Sequence, residues 1–110
     1  MKFLTMLVLS LVTVSSYAAT ASWYGPGFHG RKTASGEVFN QYAMTTASNS
    51  HKLGTKLRVT NTANGKSVVV RVTDTGEFLK YGRTLDLSYG AFRKIADTKS
   101  GVIRVKIERL

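Results

Sequence analysis

The chain contains no cysteine among its 110 residues. That excludes a disulfide, a thiolate metal site and a cysteine nucleophile, and leaves no thiol for lipid attachment next to a signal-cleavage site. Small exported domains often use disulfides to supplement a marginal core. Here packing and backbone pairing must suffice, which favours a closed β architecture with few open edges. Acid is also scarce: 6 Asp and Glu stand against 16 Lys and Arg, a formal net charge of +10. Such a balance favours an anionic partner: nucleic acid, a membrane surface or an acidic wall polymer. The basic residues are spread along the whole chain rather than gathered in one run, which argues against nucleic acid and against a cationic antimicrobial role.

Long apolar runs are lacking too. One stretch, Phe3 to Val14, is apolar apart from Thr and Ser, follows Lys2, and leads to small residues at Ser16 and Ala18. It is too short to cross a bilayer and has the layout of a signal peptide. The expectation is a signal peptide over residues 1–18 and one mature domain over 19–110, exported to the periplasm or outside the cell, with no membrane span after cleavage.

The first part of that domain, "ASWYGPGFHGRKTASGEVFN", carries Gly25, Gly27, Gly30, Gly36 and the only proline. So many breakers predict a short opening strand, Ala21 to Tyr24, and then an irregular loop. "KLRVTN" alternates Leu57 and Val59, and "SVVVRVTD" alternates Val68, Val70 and Val72. Asn64-Gly65 between them predicts a hairpin. A second loop, "TGEFLKYGR", leads into "TLDLS" with Leu85 and Leu87 on one side. Ser88 has the character of an N-cap, and Ala91, Phe92, Ile95 and Ala96 fall at helical spacing, which predicts about three turns. "GVIRVKIERL" closes the chain as a half-buried strand with Ile103, Val105 and Ile107 inward.

Six acids are available for chemistry: Glu37, Asp74, Glu77, Asp86, Asp97 and Glu108. Asp97 and Glu108 fall at exposed positions of the predicted helix and last strand. Asp86, just before the helix, reads as a partner for backbone near the helix start. Asp74 ends an apolar strand in "RVTDTG", residues 71–76. Its side chain should oppose Thr73 and share the face of Val70 only if the strand bends there, so the sequence leaves its direction open. Partly shielded by Trp23, Tyr24 or Phe78 it is a candidate acid; Arg71, three residues earlier, equally suits it to an ion pair.

Three stretches, "ASWYGPGFHGRKTASGEVFN", "LGTKLRVTNTANGKSVVVRVTDTGEF" and "TLDLSYGAFRKIA", together resemble the rare lipoprotein A (RlpA)-like domain. That family is related to expansin, barwin and family 45 endoglucanase domains. The resemblance implies a mainly β fold, a six-stranded double-psi β-barrel with one or two short helices and a groove that binds glycan chains. It further implies lytic transglycosylase activity on peptidoglycan, with Asp74 as the aspartate of the "V-x-D-x-G" strand end and Glu37 as the glutamate of the "A-[SN]-G-E" loop. Where the family commonly carries a histidine, residues 45–55 read "TTASNSHKLGT", so Ser48 holds that position and His51 lies three residues on.

The candidate catalytic residues are thus Asp74, Glu37 and His51. The candidate substrate contacts are Trp23, Tyr24, Phe28, Ser48, Arg71, Phe78 and Asp86, with the aromatic rings as stacking surfaces for sugars. His29 in "GFHG" reads as a loop residue. The chemistry asks for no cofactor and no metal. A monomer that acts on peptidoglycan or another wall polysaccharide is expected, and the alternative is an expansin-like module that binds or loosens the wall without cutting it.

Overall fold

The computed structural model describes residues 16–25, 27–75 and 84–110. Six strands form a closed barrel: β1 (Ser16–Trp23), β2 (Thr45–Ala47), β3 (Lys56–Asn61), β4 (Ser67–Asp74), β5 (Leu85–Leu87) and β6 (Ile103–Arg109). Around the barrel the order is β1-β5-β2-β4-β3-β6, with β6 pairing back onto β1. Two neighbouring pairs, β1/β5 and β2/β4, are parallel, and the remaining pairs are antiparallel. Each strand pairs with two neighbours, which suits a small chain without covalent cross-links.

Period-two alternation fills the interior. Leu57 and Val59 of β3, Val68, Val70 and Val72 of β4, Leu85 and Leu87 of β5, and Val105 and Ile107 of β6 are all buried in one cluster. Helix α1 (Tyr89–Ile95) adds Ala91, Phe92 and Ile95 to the same cluster. Ser88 caps it: its hydroxyl accepts from the Ala91 N–H and donates to the Ala43 carbonyl. The helix runs two turns rather than three, because Ala96 is already extended. The last helical carbonyl, Ile95, accepts instead from the Asn61 and Asn64 side-chain amides at 2.7 and 3.0 Å. Those two asparagines thus tie the β3–β4 turn to the helix end and satisfy a group that would otherwise be orphaned.

Gly90 sits where the helix meets the 40–43 loop. A Cβ there would lie 2.5 Å from the Tyr42 carbonyl oxygen, so only glycine allows this approach. A single 3-10 turn, Thr98–Ser100, precedes β6. The opening strand is longer than the predicted Ala21–Tyr24, since it pairs with β6 from Ser16 onward. β1 therefore begins inside the stretch read as a leader. No helix among the described residues is long and apolar enough to cross a membrane.

Candidate active site

Residues opposite one another in a ladder share a face, and the register sets out one row across four strands. Ser22 of β1 lies opposite Asp86 of β5, Asp86 opposite Ala47 of β2, and Ala47 opposite Asp74 of β4. The neighbouring Ala21, Leu85, Leu87 and Val72 fill the barrel core, whereas Ala47 packs with Tyr24 and Phe39 in a separate cluster, so the row belongs to the outer face. Strict alternation along β4 would send Asp74 inward with Val70 and Val72. A β-bulge prevents this: Thr46 pairs with Val72 but Ala47 pairs with Asp74, leaving Thr73 as the extra residue. An inserted residue reverses the facing of everything beyond it. Asp74 thereby joins Arg71 on the outer face.

The Asp74 carboxylate is held at both oxygens. Oδ1 accepts the backbone N–H groups of Ala34 at 3.0 Å and Thr75 at 2.9 Å, and Oδ2 accepts the Tyr24 hydroxyl at 3.1 Å. Tyr24 is itself buried, stacked on Phe39 at 4.5 Å between ring centroids and meeting Phe28 edge-on at 5.5 Å. Tyr24, Phe39 and Ala47 form a second small core over the row. Burial, and then the negative charges of Asp74 and Asp86, push the Tyr24 phenol far above its ordinary value. It stays a neutral hydroxyl donor. Phe28 is 44% exposed beside it and offers a ring face at the rim, with the Arg31 guanidinium 6.0 Å from its centroid.

Residues 31–39 fold into a hairpin against β4. Lys32 bridges to Val38, the Thr33 N–H donates to the Glu37 carbonyl, and the Ser35 N–H donates to the Thr73 carbonyl. The tip, Thr33 to Gly36, closes through the Gly36 N–H on the Thr33 carbonyl; Gly36 has φ +89°, the left-handed conformation that glycine permits. This hairpin brings Ala34 N–H to Asp74 and the Glu37 carboxylate to Arg71. The latter pair is bidentate, at 2.6 and 2.8 Å. Both partners are solvent-exposed, and the Arg71 hydrogen bonds hold the Glu37 carboxyl below the usual carboxylate range. A cavity of about 100 Å³ opens beside the pair, lined among others by Thr33, Phe39, Asn40, Thr45 and Thr73. It adjoins Asp74 through Thr33 and Thr73.

The other candidates are placed as follows. Asp86 is 9% exposed and accepts the Ser22 hydroxyl at 2.8 Å; it lies on the row with Asp74, the two Cα atoms about 10 Å apart across two ladder spacings. Trp23 is turned from this face: its indole N–H donates to the Thr98 carbonyl, and its ring packs on Tyr89 and Phe92. Ser48 is fully enclosed and offers a ligand no surface. Its hydroxyl accepts the N–H groups of Ser50 and His51, and its own N–H donates to the Asp74 carbonyl. His51 Nε2 lies 2.7 Å from the Tyr17 hydroxyl, and burial followed by the Arg109 charge lowers the imidazole's proton affinity. That hydrogen bond joins His51 to the start of β1, whereas Asp74 is bonded by Tyr24, just past the end of the same strand. His29 accepts the Gln41 N–H beside Tyr42. Phe78 falls outside the described residues.

The sequence reading missed Phe39, the Ala34 and Thr75 amides, and the contact between Glu37 and Arg71. The Ser-Gly pair of "TASG" is a local turn signal for the hairpin tip, but nothing local says what the tip covers.

A closed six-stranded barrel of this topology, with two parallel pairs among antiparallel ones, is the architecture of a double-psi β-barrel. The family model described as "Lytic transglycolase" matches residues 16–107, and the chain belongs to this RlpA-like double-psi β-barrel family. Over 88 residues it is 56% identical to a probable endolytic peptidoglycan transglycosylase RlpA of Synechocystis sp., covering 80% of this chain and 27% of that protein. Over 89 residues it is 49% identical to the endolytic peptidoglycan transglycosylase RlpA of Pseudomonas aeruginosa, covering 81% and 26%. The chain thus spans about a quarter of the length of these curated relatives. Among solved structures, a mutant expansin of Clavibacter michiganensis in complex with cellohexaose superposes with TM-score 0.68 at 25% identity, covering 87% of this chain and 50% of the expansin. The Streptomyces papain inhibitor shares the fold, with TM-score 0.70 at 18% identity over 87% of this chain and 94% of its own.

Proposed function

We propose that the chain is an exported, wall-acting domain that cleaves peptidoglycan glycan strands by lytic transglycosylation, with Asp74 as its one acid. The observation that carries this reading is the bulge-directed carboxyl group itself, fixed on Oδ1 by two backbone N–H groups and placed beside an exposed aromatic rim. Oδ1 has its lone pairs engaged, so Oδ2 is the oxygen left to carry the proton. In the reaction, Oδ2–H protonates the glycosidic oxygen as the bond to the anomeric carbon breaks. The C6 hydroxyl of the same sugar attacks that carbon and gives its proton to the carboxylate, which resets the acid. The products are a 1,6-anhydro end and a new free hydroxyl, with no water consumed. A second carboxylate to activate water is therefore not required. Tyr24, always protonated, steadies Oδ2 through both proton transfers, and Phe28 provides a stacking face for a sugar.

Support for peptidoglycan as substrate comes from the names of the relatives, and support for a glycan groove comes from the cellohexaose held by the expansin. That same neighbour favours a second reading, in which the groove grips wall polysaccharide without cutting it. Digestion of purified glycan strands followed by mass spectrometry separates the two. Anhydro-ended fragments that disappear in Asp74→Asn support cleavage. Retention on the wall without such fragments, in wild type as in the variant, leaves only the gripping module. A fusion carrying residues 1–18 ahead of a reporter tests export.

A further inference from the structure

We propose that Arg71 reads a carboxylate on the wall glycan, and that Glu37 is its resting counter-ion, displaced when that carboxylate enters the cavity between the 31–39 hairpin and β4. The inference rests on the reading that a wall glycan lies across this face. Arg71 and Asp74 share the outer face of β4, three residues and thus about 10 Å apart along the strand, the scale of a disaccharide. A chain bound with a linkage at Asp74 therefore presents a neighbouring sugar to Arg71.

The cavity beside Arg71 is about 100 Å³, large enough for a carboxylate and its adjoining carbons. Its lining suits such a group: the guanidinium, the Thr33, Thr45 and Thr73 positions and Asn40 on the polar side, and Phe39 on the apolar side. The fork geometry of Arg71 matches a carboxylate in two parallel hydrogen bonds, as its present pairing with Glu37 demonstrates. Because both partners are exposed, an incoming carboxylate reaches the guanidinium from solvent and competes with Glu37 for the same fork. A neutral glucan gives Arg71 nothing to take. Peptidoglycan carries carboxylates from two sources, the lactyl group of muramic acid and the stem peptides, and either has the required chemistry.

The test is equilibrium binding, with Asp74→Asn as the background so that no strand is cut. Three probes are used: glycan strands with free lactyl carboxylates, strands that retain stem peptides, and strands whose carboxyls have been converted to amides. The expected result is that amidation weakens binding about tenfold, the scale of one charge-assisted contact. Arg71→Gln weakens binding of the carboxylated strands by the same factor and leaves the amidated strands unchanged. Glu37→Gln, which removes the competitor, strengthens binding of the carboxylated strands severalfold. The two substitutions thus act in opposite directions, whereas a mere clasp for the hairpin would make both weaken every probe alike. Comparison of the first two probes identifies the source of the carboxylate. Equal binding of amidated and native strands overturns the inference, as does parallel loss in the two variants. Cleavage by the wild-type chain is read separately, so a chain that fails to cut but discriminates carboxylates sinks the proposed reaction and spares Arg71.

Discussion

Tyr24→Phe isolates one hydrogen bond at the centre of the site. The substitution keeps the ring that stacks on Phe39 and meets Phe28, so the small core over Ala47 is preserved. It deletes only the donor to Asp74 Oδ2 at 3.1 Å. Hydrogen bonds to charged groups contribute about 1.5–3 kcal/mol, and because Asp74 is only half-buried, water replaces part of the loss; the low end, about 1.5 kcal/mol, applies. For a domain of this size that is a fall in Tm of about 6–12 °C. If the same contact steadies the carboxyl group during proton transfer, the rate of anhydro-end formation falls about tenfold.

The pH dependence gives an independent readout. The folded-state phenol is raised above its ordinary value of 10.0, so Tyr24 contributes stability that is fully present below pH 10 and is lost as the pH rises beyond it. There the unfolded chain releases a proton that the folded chain retains. The loss amounts to at most about 1.4 kcal/mol per pH unit, and it should vanish in Tyr24→Phe. Urea denaturation at pH 9, 10 and 11 measures it. A variant that melts lower yet forms anhydro ends at the wild-type rate would refute the steadying role and leave Tyr24 as packing alone.

Gly90→Ala should destabilise the fold by up to about 2 kcal/mol, the overpacking cost less the gain in helix propensity, because the new methyl meets the Tyr42 carbonyl at 2.5 Å. Thermal melting checks this, and a stabilised variant would contradict the close approach. His51 is held below its ordinary value of 6.5, so it contributes stability above that pH that is lost as the pH falls below it, where the unfolded chain takes up a proton first. His51→Gln should flatten the stability difference between pH 7 and pH 5 in denaturant titrations, and a difference that persists unchanged would assign it to other groups.

What the sequence revealed was local, and what it hid was long-range. The β3–β4 hairpin at Asn64-Gly65, the cap at Ser88 and the alternation of β6 are written in neighbouring residues, and each is present. β2 has only three residues and so no period to read. Its parallel pairing with β4, like that of β1 with β5, joins segments far apart in the chain. Glu37 and Arg71 are 34 positions apart, and Tyr24 and Asp74 are 50 apart, with nothing local linking either pair. The helix fell a turn short because two asparagines from another element end it, a tertiary effect that propensity does not contain.

The bulge explains why the site needs the hairpin at all. Turning Asp74 outward costs a ladder position at Thr73, whose carbonyl must find a donor elsewhere. It finds the Ser35 N–H at 3.0 Å, from the tip of the 31–39 hairpin. Docking that tip places the Ala34 N–H on Asp74 Oδ1 and the Glu37 carboxylate on Arg71 in the same stroke. One inserted residue in β4 and one glycine-closed turn 37 residues earlier are therefore mutually dependent. The loop that covers the defect also supplies a donor to the half-buried acid, and so the "RKTASGEVF" hairpin belongs to the reactive group as much as the strand does.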